Sequence, residues 1–206
     1  ESLLVDNLRE QGREASVVAG HSLGELVALY AAGVFDLETG LKLMKTRSEL
    51  MAAAGGGAMT AVIGFDRDQL NELVDSIDGV SIANDNSEAQ VVISGQPEAV
   101  GKVSEQLKCK RAIPLAVSGA FHSPFMAEAA EQFAAALEGV SFRDARMPVL
   151  SNSEPSATSS ADVLKQRLKQ QIEDGRRGVG EVTRTSSYHL TLGVAPEPWY
   201  YRILLH

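Results

Sequence analysis

The segment Gly20-His21-Ser22-Leu23-Gly24 constrains this chain more than any other. Ahead of it runs Ala15-Ser16-Val17-Val18-Ala19, a short, largely apolar stretch that reads as a strand. After it comes Glu25-Leu26-Val27-Ala28-Leu29-Tyr30-Ala31-Ala32, built from good helix formers. A strand and a helix joined through Gly-x-Ser-x-Gly make a nucleophile elbow, a device of α/β folds. The small residues at 20 and 24 let the turn close and the backbone pack. Ser22 is then presented beside the helix N-terminus, and the Leu23 N–H points where an oxyanion would form. The plainer alternative is a glycine-punctuated turn with an incidental serine. Agreement of strand, turn and helix argues against it.

Composition narrows the function classes. A chain of 206 residues holds one ordinary domain, or one with a small insertion. The net charge of −8 argues against a nucleic-acid binder, which needs a basic face for phosphates. The single cysteine, Cys109, permits no internal disulfide and no cysteine-based zinc site, which fits a cytoplasmic location. No apolar run approaches a membrane span, and no metal site is expected. The opening Glu1-Ser2-Leu3-Leu4 has neither a starting Met nor a basic segment, so an internal fragment is expected.

The pattern along the chain predicts a discontinuous large subdomain over 1–57 and 118–171. Helices are expected over 3–12, 23–32 and 36–54, with strand 15–19 before the elbow. Gly55-Gly56-Gly57 then reads as a boundary. Over 58–117 the order becomes strand, helix, strand, strand, helix, strand, with Asn84-Asp85-Asn86-Ser87 as a turn, and this is the ferredoxin-like unit. Ser123 is expected to cap a helix ending at Gly139, with a strand over 147–152 and a helix over 161–171. Beyond Gln171 usage shifts: all seven lysines lie before it, while three of the four tyrosines and the only tryptophan lie after it. Residues 172–206 are therefore read as an atypical tail, from a shifted frame or an unrelated junction. The expected class is α/β: an α/β-hydrolase-like large subdomain with a parallel sheet, plus the inserted ferredoxin-like one.

A serine nucleophile needs a base. Of the four histidines, His122 follows a strand and precedes a helix cap, a setting where open α/β sheets place their sites. His21 adjoins Ser22 on the elbow, where neighbouring side chains diverge, and suits a supporting or structural role. His189 and His206 fall in the tail. Arg47 projects into the apolar face of its helix, between Leu43 and Met51, at about 100° per residue. A guanidinium turned inward must find an anion or several acceptors. Either an internal carboxylate or a substrate carboxylate would serve. No acidic residue stands out as a third member, so a Ser–His dyad oriented by a backbone carbonyl or an amide is expected. Asn152 and Gln171 are its candidates.

Taken together, these blocks resemble the malonyl-CoA:acyl carrier protein transacylases and the acyltransferase domains of fatty-acid and polyketide synthases. The resemblance covers about residues 1–171. It rests on Gly20-His21-Ser22-Leu23-Gly24-Glu25, on Arg47 in Thr46-Arg47-Ser48-Glu49-Leu50-Met51, on Gly57-Ala58-Met59, and on Gly119-Ala120-Phe121-His122-Ser123. Ala83-Asn84 with Asn86-Ser87, and Gln90-Val91-Val92-Ile93-Ser94-Gly95, also match.

The resemblance implies that Ser22 is acylated, His122 is its base and Arg47 holds the malonyl carboxylate. It further implies that Leu23 supplies an oxyanion N–H, that the Gln171 carbonyl orients His122, and that His21, Met51, Phe121 and Asn86 line the substrate site. The implied reaction is ping-pong transfer of malonyl from malonyl-CoA to acyl carrier protein, by a cytoplasmic monomer with no metal or redox cofactor and no membrane partner. Clusters Lys108-Lys110-Arg111 and Lys165-Arg167-Lys169 are candidates for docking the acidic carrier. The family's first strand, with a glutamine loop completing the oxyanion hole, has no counterpart here, and one lost oxyanion donor costs about 10²–10³ in rate. Competing expectations are a serine esterase or thioesterase, and a non-catalytic fragment.

Overall fold

The computed structural model describes residues 1–13, 15–117, 119–154 and 156–173, and the backbone of two strands further on. Helix α1 (Ser2–Glu10) leads to β1 (Val18–Ala19), α2 (Leu23–Ala31) and α3 (Leu37–Ala53). The middle of the chain forms β2 (Ala58–Phe65), α4 (Arg67–Ser76), β3 (Val80–Ser87), β4 (Gln90–Gly95), α5 (Pro97–Gln106) and β5 (Cys109–Pro114). A single 3₁₀ turn at Pro124–Met126 runs into α6 (Ala127–Glu138), followed by β6 (Val149–Leu150) and α7 (Ala161–Gln170). Strands β7 (Thr191–Val194) and β8 (Tyr201–Leu204) pair antiparallel. The expected atypical tail, with His189 and His206, otherwise lies outside the described residues from 174 on.

The parallel pairing that the elbow requires is present but brief. Val18 pairs with Val149 and Ala19 with Leu150. The strands expected over 15–19 and 147–152 shrink to this ladder for chemical reasons. Pro148 offers a carbonyl to Val18 N but has no N–H to extend the pairing. On the far side Gly20 starts the turn, and the Asn152 N–H is diverted to the Glu25 carboxyl at 3.2 Å.

Around this ladder α2, α3, α6 and α7 bury one apolar cluster that includes Leu26, Leu29, Phe35, Leu43, Phe133, Leu137, Leu164 and Leu168. Ile172 belongs to it too, so the core continues past Gln171. On α3 Gly40, Leu43, Arg47 and Met51 are buried, while Leu41 is 52% exposed. Those four buried positions recur at helical spacing, and Leu41 falls beyond their edge.

Residues 58–117 form an antiparallel sheet in the order β3-β4-β2-β5. Alternation divides its residues between two faces. Val62, Val91 and Ile93 pack with Leu70 of α4 and with Val100 and Val103 of α5. Met59, Ala61, Ala83 and Val92 pack with Leu115 and Phe121, so this face carries the segment leading to His122. One expectation is corrected. Asn84-Asp85-Asn86-Ser87 is strand rather than turn, because two register shifts in the β3–β4 ladder absorb the extra residues. Arg67 also holds Asp85 with two bonds of 2.6 and 3.0 Å. The hairpin turn is Glu88-Ala89.

Candidate active site

Ser22 sits at φ 51° and ψ −111°, outside the regions that ordinary side chains favour. Such strain persists only where the surroundings enforce it. Gly20 enforces the tight side of the turn: a Cβ there would lie 2.0 Å from the Gly24 carbonyl oxygen. Gly24 is different from expectation, since a Cβ there meets nothing within 4 Å. From the other side, the Ser22 N–H donates to Asn152 Oδ1 at 2.7 Å.

The Ser22 hydroxyl lies 2.9 Å from His122 Nε2. On the other ring edge, His122 Nδ1 is 3.0 Å from the Gln171 carbonyl oxygen. A carbonyl can only accept, so Nδ1 carries the hydrogen and Nε2 is left to take the serine proton. His122 also has a positive φ, 54°. Its segment is fixed by the Ser123 hydroxyl, which donates to the Ala120 carbonyl at 2.5 Å and accepts from Phe125 N at 3.3 Å. Gly57 leaves no room for a side chain against Ala120, since a Cβ would come within 2.5 Å of its nitrogen. The small sheet and the histidine segment are thus in direct backbone contact.

Arg47 reaches the same point from α3. It is 4% exposed, and its Nη2 donates to Ser22 Oγ at 2.9 Å. Its Nε and Nη2 also donate to Gln171 Oε1 at 3.2 and 3.0 Å. The Gln171 amide nitrogen donates in turn to the Ser22 carbonyl. Burial pulls Arg47 down to about 10, so it stays charged at neutral pH. Burial, then the Arg47 charge, lowers His122 to about 3, and the same two causes lower His21 to about 4. Both imidazoles are therefore neutral bases near pH 7.

Of the sequence candidates, Ser22, His122, Arg47 and Gln171 converge within hydrogen-bond distance. Leu23 opens α2, where first-turn N–H groups have no partner within the helix. His21 is adjacent, with Nε2 buried and without a hydrogen-bond partner among the described residues. Met51 belongs to the main core and Phe121 joins the two apolar clusters. Asn86 lies on β3, and no described hydrogen bond ties it to Ser22. Of the basic clusters, Lys165 and Lys169 are engaged by the end of α6, and Arg167 by Ser156. Lys108, Lys110 and Arg111 are exposed on and beside β5.

Sequence reasoning passed over Glu25. It is fully buried and its carboxyl accepts from the Asn152 N–H, which completes a relay to the Ser22 N–H. Burial raises it to about 7. The Ser-x-x-Glu spacing resembles a capping box, but the Ser22 side chain makes no cap bond and the acid turns inward. An amide side chain was one expected partner for His122; the Gln171 amide instead binds Arg47 and the Ser22 carbonyl, and it is the Gln171 backbone carbonyl that meets His122.

A strained serine on a strand-to-helix turn, a neutral histidine and a buried guanidinium define a serine acyl-transfer type of site. The chain belongs to the family described as the acyl transferase domain, whose model matches residues 2–197, well past the last motif at Gln171. It is 48% identical over 199 residues to the malonyl CoA-acyl carrier protein transacylase of Synechocystis sp., covering 94% of this chain and 68% of that protein. The crystal structure of a Synechocystis malonyl-CoA:ACP transacylase superposes with a TM-score of 0.84 at 51% identity, over 85% of this chain and 60% of that one. A malonyl-transacylase solved in complex with a type II polyketide synthase acyl-carrier protein gives 0.78 at 36% identity, over 84% of this chain and 60% of that one. The chain thus spans about 60–68% of these relatives' lengths.

Proposed function

We propose that this chain carries out malonyl transfer from coenzyme A to the phosphopantetheine thiol of an acyl carrier protein through an acyl-Ser22 intermediate. One observation carries the reading: a buried, charged Arg47 donates to the hydroxyl that faces the neutral base His122. An esterase for neutral esters gains nothing from a guanidinium there.

The roles follow from the bonds. The Ser22 hydroxyl attacks the thioester carbonyl carbon while its proton passes to His122 Nε2. The Leu23 N–H, at the positive end of α2, faces the developing oxyanion. The carbon–sulfur bond breaks and the proton on His122 goes to the departing coenzyme A thiol. The carrier thiol then gives its proton to His122 and its sulfur attacks the Ser22 ester carbonyl; the carbon–oxygen bond breaks, and His122 returns the proton to Ser22 Oγ. The Gln171 carbonyl holds His122 in the productive tautomer throughout. Arg47, already beside Ser22 Oγ, meets the malonyl carboxylate once the serine is acylated, with His21, Met51, Phe121 and Asn86 shaping the remainder of the site. The reading calls for no metal or redox cofactor, and it places the enzyme in the cytoplasm as a monomer.

The same reading assigns 1–57 and 118–171 to an α/β-hydrolase-like subdomain and 58–117 to an inserted ferredoxin-like one. The strand order β3-β4-β2-β5 with both helices on one face supports the second assignment. The exposed Lys108-Lys110-Arg111 edge is the surface suited to an acidic carrier.

The test is transfer in two stages. Malonyl-CoA is expected to leave a malonyl adduct on Ser22, and added holo-acyl carrier protein is expected to remove it and gain it. Water removing the adduct faster than the carrier does would replace the reading with a thioesterase.

A further inference from the structure

We infer that the Gln171 side chain is a neutral anchor that holds the Arg47 guanidinium in place while leaving its charge free for a substrate carboxylate. This role is separate from that of the Gln171 backbone carbonyl, and it rests on the function proposed above.

Both ends of the amide are fixed. Its oxygen accepts from Arg47 Nε and Nη2 at 3.2 and 3.0 Å, and its nitrogen donates to the Ser22 carbonyl. A flipped amide would set donors against the guanidinium and its oxygen against the Ser22 carbonyl, so one orientation is enforced. Gln171 is fully buried, and the three bonded residues come from three elements: the start of α2, the middle of α3 and the end of α7. The side-chain amide therefore ties the nucleophile to the cation, while the backbone carbonyl of the same residue holds the base.

The neutrality of this anchor matters as much as its geometry. A buried guanidinium ordinarily sits against a carboxylate, because an unpaired buried charge is costly. Among the described residues no carboxylate lies within ion-pair distance of Arg47. Its Nη1 makes no hydrogen bond among them either. The carboxyl whose charge Arg47 feels, that of Glu25, is itself pushed up to about 7 by burial. An anionic acyl group arriving at Ser22 thus meets a cation that is positioned but not neutralised. A glutamate at 171 would keep the shape, neutralise Arg47 and set an oxygen against the Ser22 carbonyl.

The experiment compares the unmodified chain with Gln171→Glu and Gln171→Met, each offered malonyl-CoA and acetyl-CoA in competition. Adducts on Ser22 are read by intact mass, and cooperative thermal unfolding checks each fold. Both variants are expected to lower the malonyl-to-acetyl adduct ratio, Gln171→Glu by about 10–100-fold, the scale of one charge-assisted pair. Gln171→Met, which loses the grip but not the charge, is expected to lower it less. An unchanged ratio in a folded Gln171→Glu chain overturns this inference and leaves the proposed function standing. If Gln171→Glu does not fold, the Met variant decides by the same ratio. An unmodified chain that takes no malonyl overturns both.

Discussion

The two halves of this molecule spend burial differently. The antiparallel sheet over 58–117 hides apolar side chains, and its buried polar residues are only Thr60, Ser81 and Ser94. Its Arg67–Asp85 ion pair lies toward the surface. The region around the elbow buries Glu25, Arg47, His122, Ser151, Asn152 and Gln171 together, with positive φ at both Ser22 and His122. Buried charge and strain cost stability, and here they are concentrated where acyl transfer is proposed. The sheet stays conventional and braces the His122 segment through Gly57–Ala120 and Phe121. Substitutions should therefore separate cleanly, with chemistry lost on one side and stability on the other.

The largest effect expected is on the chemistry. His122→Ala should slow malonylation of Ser22 by about 10²–10⁴-fold in a rapid-quench mass assay, with little change in the unfolding midpoint. The converse is Leu70→Ala in the sheet core, which should cost about 2–5 kcal/mol in urea titration and spare the malonyl preference of the folded fraction. Arg47→Ala should lower the malonyl-to-acetyl ratio by about 10–100-fold; an unchanged ratio would remove Arg47 from substrate binding.

Titration sharpens the contrast. His122 and His21 are held near 3 and 4, against an ordinary 6.5, by burial and Arg47. They protonate more readily in the unfolded chain, so their stabilising contribution is whole above pH 6.5 and lost as pH falls toward 3. Glu25 runs the other way: raised from 4.5 to about 7, its contribution is whole below 4.5 and lost as pH rises through 7. Glu25→Gln should accordingly gain in midpoint relative to the unmodified chain between pH 5 and pH 8, read by thermal unfolding. The kcat/KM for acylation should hold through pH 6.5, and half-loss there would contradict a depressed His122. Smallest is Asp85→Ala, about 1 kcal/mol or less for a partly exposed pair.

Local chemistry made part of this legible. Gly-x-Ser-x-Gly between a strand and a helix marked Ser22, and a cap after a strand marked His122. The apolar period placed Arg47 inward, because one charged residue on a buried stripe stands out. Other features depend on the meeting of distant segments. Asn84–Ser87 has turn-type residues, yet bulges and the Arg67 clamp keep it in the sheet. Glu25 reads as a first-turn acid until Asn152, brought alongside by the β1–β6 pairing, turns it inward. The Gln171 amide gains its role only when α3 and α7 close on the elbow.

The most direct test is a competition at equal concentrations of malonyl-CoA and acetyl-CoA on the unmodified chain, with Ser22→Ala as control and intact mass as the readout. A malonyl adduct that predominates and vanishes in Ser22→Ala is the expected result. An acetyl adduct in equal or greater amount, or a malonyl adduct that survives in Ser22→Ala, would contradict it.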